Sequence, residues 1–320
     1  MVSVVLLANL ASGVTSVIPD ADLRRPGAID PAPVVDQIQA HRPVRTAASP
    51  AFLERLAGYC AARRITLPTF AKIYSGGAPV FPRVLDELQR MAPRAEVCAV
   101  YGSTEAEPIA QVTRGEMKVD DVEAMYAGRG LLVGRPVSAI ELRVLPDRWG
   151  APVGPYTGDA FATVPLPPGA PGEIVVSGAH VLPGYLRGEG DEETKFTVDG
   201  QIWHRTGDAG YLDAGGRLWL LGRCAARTGD LYPFSVECAV LRHSAVYRAA
   251  VLAHRGQRIL LVQWRDPAAR VDPTEIRESV AWAKLDAVIA VSEIPVDKRH
   301  NAKVDYQAAH RLLDGRGRIC

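Results

Sequence analysis

Features that mark specialised protein classes are scarce in this sequence. Five cysteines (Cys60, Cys98, Cys224, Cys238 and Cys320) are spread over 320 residues, with no CxxC pair and no histidine at zinc-ligand spacing. This argues against a disulfide framework or a thiolate zinc centre and fits a reducing cytoplasm. Charge of one sign does not accumulate either: 37 basic against 36 acidic residues leave a net +1, so no global field gathers nucleic acid or anionic membrane. No apolar run reaches the roughly 20 residues that cross a bilayer, which speaks against an integral membrane protein. The apolar opening, residues 1–13, is shorter than that and lacks the basic start of a signal peptide, so it predicts a buried element. Internal repeats and low-complexity tracts are absent as well.

What is there suits a folded α/β protein. A composition of 48% hydrophobic and 23% charged residues lies away from the disordered range, and at about 100–200 residues per domain the length predicts about two domains. Asp30-Pro31 and Ser49-Pro50 each place a capping side chain before proline, so helices are predicted from both prolines. Phe70–Tyr74 reads as a strand ending in Ser75-Gly76-Gly77, with a helix after Pro82 through Val84, Leu85 and Leu88. Val97–Val100 reads as a second strand, ending in Tyr101-Gly102-Ser103-Thr104-Glu105, and the two stretches are read as strand–turn–helix units. In such sheets ligands bind at the carboxyl ends of strands. From about Gly134 the pattern turns β-rich, with strands predicted over Ile140–Leu145, Gly172–Ser177 and Arg217–Leu221. After Gly222-Arg223 come strands at Val246–Ala253 and Ile259–Gln263 and a helix from Pro273 to about Lys284. The predicted boundary therefore lies near Arg223, with a large region over 1–223 and a small α+β domain over 224–320.

Four short stretches can carry chemistry. Ser75–Pro79 sets two glycines and a small residue between strand and helix, where backbone can approach a flat ligand; a plain tight turn accounts for it equally. In Tyr101–Glu105 a ring can stack on a base, Ser103 and Thr104 can donate to phosphate, and Glu105 can hold a hard cation such as Mg²⁺. The same residues also suit a helix cap with Glu105 in the first turn, and taken alone the cap is the stronger reading. Arg205-Thr206-Gly207-Asp208 places a turn carboxylate where ribose hydroxyls can be accepted, although Thr157-Gly158-Asp159 repeats the tripeptide without any such context. Lys303, in a basic stretch with Lys298 and Arg299, can neutralise phosphate charge, or can simply be a solvated loop lysine. His204 and His300 are read as structural, and Met91, Met117 and Met125 as packing.

In this order the motifs SGGAP (75–79), YGSTE (101–105), GEIVVSGAHVLPGY (172–185), HRTGD (204–208), DAGGRLWLLGR (213–223) and NAK (301–303) resemble the adenylate-forming superfamily of acyl-CoA synthetases, luciferases and nonribosomal adenylation domains. The run from Gly216 to Val240, with HSAVYRAAV (243–251) and PVDKRHNAKVDY (295–306), looks most like the β-lactone synthetases of olefin pathways, with fatty-acyl ligases close behind. The resemblance implies an α/β fold, consisting of part of a large AMP-binding domain with a β-rich subdomain, followed by a small mobile C-terminal domain. It implies that a carboxylic acid, fatty or β-hydroxy fatty, attacks the α-phosphate of Mg²⁺-ATP, after which the acyl-adenylate meets CoA, another acceptor or its own β-hydroxyl.

Carried over by position, Gly76, Gly77 and Ala78 border adenine, Tyr101 stacks on it, and Gly102, Ser103 and Thr104 serve the nucleotide, Thr104 at phosphate. Glu105 binds Mg²⁺, Asp208 takes the ribose hydroxyls with help from Arg223, and Lys303 steadies the reacting groups after rotation about a hinge near Ala225. The superfamily's Ser/Thr/Gly-rich phosphate loop, ending in lysine, has no counterpart before Ile73. The resemblance therefore implies a partial large domain: a fragment, one half of a split enzyme completed by an N-terminal half or a pathway enzyme, or a catalytically silent nucleotide- or partner-binding relative. An apolar surface at residues 1–10 left without its neighbours is a further expectation.

Overall fold

Capping chemistry sets the first helices. In the computed structural model, which describes residues 2–266, 268, 270–297 and 302–315, the Asp30 carboxylate accepts from the Ala32 N–H at 3.0 Å. The Ser49 hydroxyl accepts from the Phe52 N–H at 3.4 Å. The expectations for Lys298, Arg299, His300, Asn301 and Cys320 fall outside the described residues. By contact density the chain divides into two units, Met1–Tyr101 with Gln111–Lys118 and Val296–Lys303, and Gly102–Ala110 with Val119–Pro295 and Val304–Cys320.

In the first unit, helices α1 (Val2–Ala11), α2 (Pro31–His41), α3 (Pro50–Arg63) and α4 (Pro82–Met91) accompany strands β1 (Arg45–Ala48), β2 (Lys72–Gly76) and β3 (Glu96–Ser103). The three strands are parallel in that order. Leu53, Leu56, Ala57 and Cys60 of α3, and Val84, Leu85, Leu88 and Met91 of α4, recur at helical spacing and are all buried. The opening element differs from its expectation. It is a helix, and Leu7 and Leu10 stand 66% and 64% exposed rather than buried. Exposed apolar surface was the second expectation for this segment, and Leu7 and Leu10 show it.

The second strand–turn–helix unit is also corrected. After β3 the chain turns at Thr104-Glu105 and enters another strand, β4 (Ala106–Thr113); no helix follows, so Ser103 and Thr104 cap none. The alternation in β4 explains this: Ile109, Ala110 and Val112 are buried while Glu107 and Gln111 are exposed, a pattern that fits a pleated strand better than a helix.

The second unit continues with α5 (Val119–Ala124), β5 (Leu131–Pro136), β6 (Glu141–Leu145), α6 (Gly158–Ala162), β7 (Gly172–Ser177), α7 (Asp191–Thr194), β8 (Lys195–Val198), β9 (Gln201–Leu212) and β10 (Leu218–Arg223). Its sheet runs β5-β10-β9-β7-β6 with β8 on β9, and the pairings are antiparallel. Phe161, Phe196 and Trp203 fill a satellite core, with the rings of Phe161 and Trp203 4.9 Å apart.

Beyond β10 a short 3₁₀ turn over Cys224–Ala226 leads to α8 (Pro233–Val240), β11 (Val246–His254), β12 (Gln257–Trp264), α9 (Pro273–Ser279), β13 (Ala287–Val291) and α10 (Tyr306–Asp314). Strand β12 is central, antiparallel to β11 and parallel to β13. Leu260 and Val262 enter one core with Val236, Ile276 and Val280, while Ile259 and Leu261 enter another with Ala309 and Leu313. Burial on both faces explains the unbroken apolar run in β12. The helix predicted to about Lys284 ends at Ser279; Val280 leaves helical dihedrals and a 3₁₀ turn follows over Ala281–Ala283, yet Val280 and Ala283 still turn fully inward.

The buried Glu237 joins these layers. Its Oε1 accepts from the Tyr306 hydroxyl at 2.7 Å and the Val251 N–H at 3.2 Å, and burial pushes its carboxyl up to about 7 against those hydrogen bonds. A carboxyl raised in the folded state binds more protons there than in the unfolded chain, so its contribution is fully present below about 4.5 and is lost as pH rises to about 7. Urea unfolding of the parent and of Glu237→Gln over that window is expected to show a difference in stability that falls by about 3 kcal/mol on the parent's side. Parallel pH curves would remove this assignment.

Candidate active site

Strands β2 and β3 lie side by side with Gly76 opposite Val100, so SGGAP and YGSTE both begin at strand carboxyl ends. A Cβ on Gly76 would meet the Val100 carbonyl oxygen at 2.7 Å, and Gly77 follows at φ +82°. The close pairing therefore requires glycine at Gly76, and the backbone beyond it turns where a side chain is disfavoured. Ala78 and Tyr101 are half-buried beside these positions in their strands and turn.

In the second unit, Gly102 and Ser103 complete β3, and Thr104 is exposed at the tip. Glu105 beside it is held from the segment that follows β7. The Leu182 N–H donates to the Glu105 carbonyl at 2.7 Å, and the Tyr185 hydroxyl donates to the Glu105 Oε1 at 2.8 Å. Burial by itself raises the Glu105 carboxyl, but the Tyr185 and backbone hydrogen bonds outweigh it and leave the group below its ordinary value. Behind this pair, the Lys195 Nζ donates to the Leu182 carbonyl at 2.6 Å and lies 3.2 Å from the His204 Nδ1. Burial, with Lys195 beside it, pushes His204 down to about 4, so the imidazole is neutral. The structural reading of His204 agrees with this placement.

Asp208 stands in a strand, not in the turn read from the sequence. Along β9 it follows Arg205, which pairs with Val175 of β7, while Ala209 pairs with Glu173. Four steps of β9 thus face two of β7, and Thr206–Asp208 bulge out of the ladder. Gly207 takes φ +66°, and a Cβ there would come within 2.8 Å of the Trp149 ring. The Asp208 N–H donates to the Thr206 hydroxyl at 3.0 Å. On the other side, Arg223 is the β10 partner of Asp208; its Nη1 donates to the Asp208 Oδ1 at 3.0 Å and to the Thr206 carbonyl at 2.9 Å. The structure brings this predicted pair together, with a carboxylate presented on a bulge.

The bulge is anchored by Glu173 and Arg205. The guanidinium approaches the carboxylate with Nε at 3.1 and 3.2 Å and Nη2 at 2.7 Å, with side chains only 2% and 1% exposed. Arg205 also donates to the carbonyls of Ala151, Arg148 and Glu193. Lys303, in the first unit, is exposed in a loop closed by its own N–H on the Asp297 Oδ1 at 3.0 Å and by the Asp297 N–H on its carbonyl at 2.8 Å.

The AMP-binding enzyme family model matches residues 1–186, more than half of the chain. The chain belongs to the AMP-binding enzyme family. An olefin β-lactone synthetase of Stenotrophomonas maltophilia is 32% identical over 319 residues, covering 93% of this chain and 56% of that relative. A 4-coumarate–CoA ligase 1 of Oryza sativa subsp. japonica is 26% identical over 283 residues, covering 83% and 46%. The solved amide bond synthetase McbA of Marinactinospora thermotolerans shares the fold at TM-score 0.69 and 26% identity, over 88% of this chain and 55% of that one. The chain spans about half the length of these relatives. The mixed α/β fold expected from the motifs is the fold observed.

Within this family member, the sequence does not single out Tyr185, Lys195 or the Glu173–Arg205 pair. Glu173, Tyr185 and Arg205 lie inside motifs that were recognised, but their partners are distant in sequence: 80 residues separate Tyr185 from Glu105. The only local signal was a charged residue at an inward position of an apolar strand, as with Glu173 in Gly172–Ser177. Because an unpaired buried charge is costly, Arg205→Met is expected to destabilise the protein by about 3–5 kcal/mol, and the double variant Glu173→Leu/Arg205→Met is expected to recover most of it. Urea denaturation checks both; a double variant as unstable as the single one would mean that the carbonyl contacts of Arg205, not its charge pairing, hold the bulge.

Proposed function

We propose that the chain forms the adenylate-holding part of an enzyme that activates a carboxylic acid with ATP. The observation that carries this reading is the Asp208–Arg223 pair: a carboxylate fixed by a guanidinium on a strand bulge is suited to accept both hydroxyls of a ribose. Family membership supports it, as does the start of two nucleotide-suited motifs at adjacent parallel strand ends. In this reading Gly76, Gly77 and Ala78 border adenine, Tyr101 stacks on it, Gly102 and Ser103 shape the turn, and Thr104 donates to phosphate.

Glu105 fits a hard cation, since it is a half-buried carboxylate held ionised by hydrogen bonds. Among the described residues no group of three or more potential ligands forms a cage, and Mg²⁺ at nucleotide sites is typically held by one or two carboxylates with the remaining positions left to phosphate and water. When bound, Mg²⁺ would supply charge neutralisation at the phosphates. The substrate carboxylate oxygen attacks the α-phosphorus, the bond to the bridging oxygen of pyrophosphate breaks, and the electron pair leaves with pyrophosphate. Lys303 steadies the charge that develops on the α-phosphate and the bridging oxygen.

The residues after Arg223 act here as the small domain, 224–320, moving about Cys224–Ala226 with Ala225 exposed at its centre. Its separate two-faced core supports movement as a body. The acid is β-hydroxy fatty, and its β-hydroxyl oxygen attacks the activated carboxyl, closing a β-lactone as AMP leaves and the hydroxyl proton is released; the 32% identity to an olefin β-lactone synthetase supports this over a CoA ligase that acts on a fatty acid. Product analysis with and without CoA separates the two. Completion of the site is assigned to a further polypeptide segment, an N-terminal half or a pathway enzyme that supplies the phosphate loop. Among the described residues no helix is long and apolar enough to cross a membrane, and the free cysteines Cys60, Cys98, Cys224 and Cys238 support a reducing, cytoplasmic setting.

Calorimetric titration with AMP tests the nucleotide reading. Asp208→Ala is expected to weaken AMP by about tenfold or more, the loss associated with a charged hydrogen-bonding group. Lys303→Ala is expected to leave AMP affinity intact while lowering acid-dependent ATP–pyrophosphate exchange by roughly 10²–10³. Absence of AMP binding by well-folded parent protein would favour the silent partner-binding alternative, and exchange unchanged in Lys303→Ala would remove the role given to that lysine.

A further inference from the structure

We infer that Tyr185 is a positioning residue for the Glu105 carboxylate, fixing one of its oxygens so that the other is presented to a divalent cation. The inference rests on the reading of Glu105 as the cation ligand. Three bonds from the segment after β7 converge on the turn and first residues of β4. The Tyr185 hydroxyl donates to the Glu105 Oε1 at 2.8 Å, the Leu182 N–H donates to the Glu105 carbonyl at 2.7 Å, and the His180 Nε2 lies 3.0 Å from the Pro108 carbonyl. Side chain and backbone of Glu105 are therefore both held, by residues 77 and 80 positions away in sequence.

Tyr185 is itself braced. Its N–H donates to the Asp191 Oδ1 at 2.9 Å, and the Lys195 ammonium lies 5.4 Å from its ring centre while donating to the Leu182 carbonyl. His204 shares that ammonium across 3.2 Å. A carboxylate has two oxygens, and a single cation ligand gains from having one of them occupied by a neutral donor, because the carboxylate plane is then fixed without cancelling its charge. A phenol suits this better than a lysine, whose charge would compete with the cation. The nearby Lys195 ammonium is instead directed to a carbonyl.

Mn²⁺ binding followed by its electron paramagnetic resonance signal, with AMP present, tests the inference in the parent, Tyr185→Phe and Glu105→Gln. The expected result is that Tyr185→Phe weakens Mn²⁺ roughly tenfold, as loss of a partner behind a metal ligand typically does, with metal-free AMP affinity and melting temperature unchanged. Lys195→Met provides a second variant, expected to weaken Mn²⁺ less. If Glu105→Gln abolishes Mn²⁺ binding while Tyr185→Phe matches the parent within twofold, the inference is overturned and the reading of Glu105 stands. If Glu105→Gln binds Mn²⁺ as the parent does, or the parent binds none, the cation reading fails and takes the inference with it. Equal losses of Mn²⁺, metal-free AMP and melting temperature in Tyr185→Phe would show a structural contact only, and would also overturn it.

Discussion

The geometry of β9 depends on the contact between Glu173 and Arg205. A buried pair of this kind is a poor source of net stability, because stripping water from two charged groups costs about what their attraction returns. What it supplies is register. Arg205 pairs with Val175 in the ladder while its guanidinium reaches Glu173, the β7 partner of Ala209. The two groups therefore bridge the segment in which β9 departs from β7, and the remaining guanidinium protons are used by the Ala151, Arg148 and Glu193 carbonyls. A one-residue slip would put Arg205 on the opposite face, away from all of these acceptors. The bulge at Thr206–Asp208 is thus specified by polar pairing in the core, and Asp208 is displayed because the residues before it are fixed.

The same strand sets the chemistry on its other side. His204 pairs with Val176 in the β7–β9 ladder, and its imidazole is kept neutral by burial and by the Lys195 ammonium. Burial lowers Lys195, and the negative charges of Glu105 and Asp191 oppose that shift. Neutral imidazole, ammonium, carbonyl, phenol and carboxylate form a graded series from the strand out to the turn at Glu105. The only full charges in it are opposite in sign, and each draws the other toward its charged form. Positions 185, 195 and 204 lie in one stretch that includes the β8–β9 hairpin, but Glu105 is 80 positions before Tyr185, so the series is complete only once that stretch has met the turn after β3.

That separation accounts for what could be read in the sequence and what could not. Asp30, Ser49 and the prolines after them announce helix starts because a cap acts on an N–H two or three residues away. The parallel strands ending at Gly76 and Ser103 announce themselves through apolar runs broken by small residues. The misreadings are those in which tertiary context overrode a local cue. Ser103-Thr104 satisfies every local requirement of a helix cap, yet the following Ala106–Thr113 has the alternation of a strand. Thr206-Gly207-Asp208 has the composition of a turn, but the flanking Arg205 and Ala209 are tied to β7, so the chain bulges and continues. Among the residues proposed for the site, Asp208 and Arg223 were legible as residue types and as motifs; their pairing across β9 and β10 is a property of the fold. The partners of Glu105 were not legible, because nothing near Tyr185 in the sequence refers to a residue 80 positions earlier.

The residues after Arg223 build cores of their own. Their three-stranded sheet is covered on both faces by its own helices, and its two cores are made of its own residues. The polar contacts to the preceding region include Tyr232, which donates to Asp147 at 2.7 Å, Arg227, 3.9 Å from the same carboxylate, and Arg242, which meets Glu123 at 3.3 Å with both side chains more than half exposed. An exposed pair such as the last contributes about 0–1 kcal/mol. Trp282 lies against Gly128, where any Cβ would collide with its ring, so this contact requires glycine there. Between the two regions the chain passes through Cys224–Ala226, a single 3₁₀ turn with small residues at its centre and end. The segment after Arg223 thus carries cores of its own, while α8 also packs on Met125–Arg129, β10 and β5, so the short 3₁₀ turn joins two layers that are in contact within one unit.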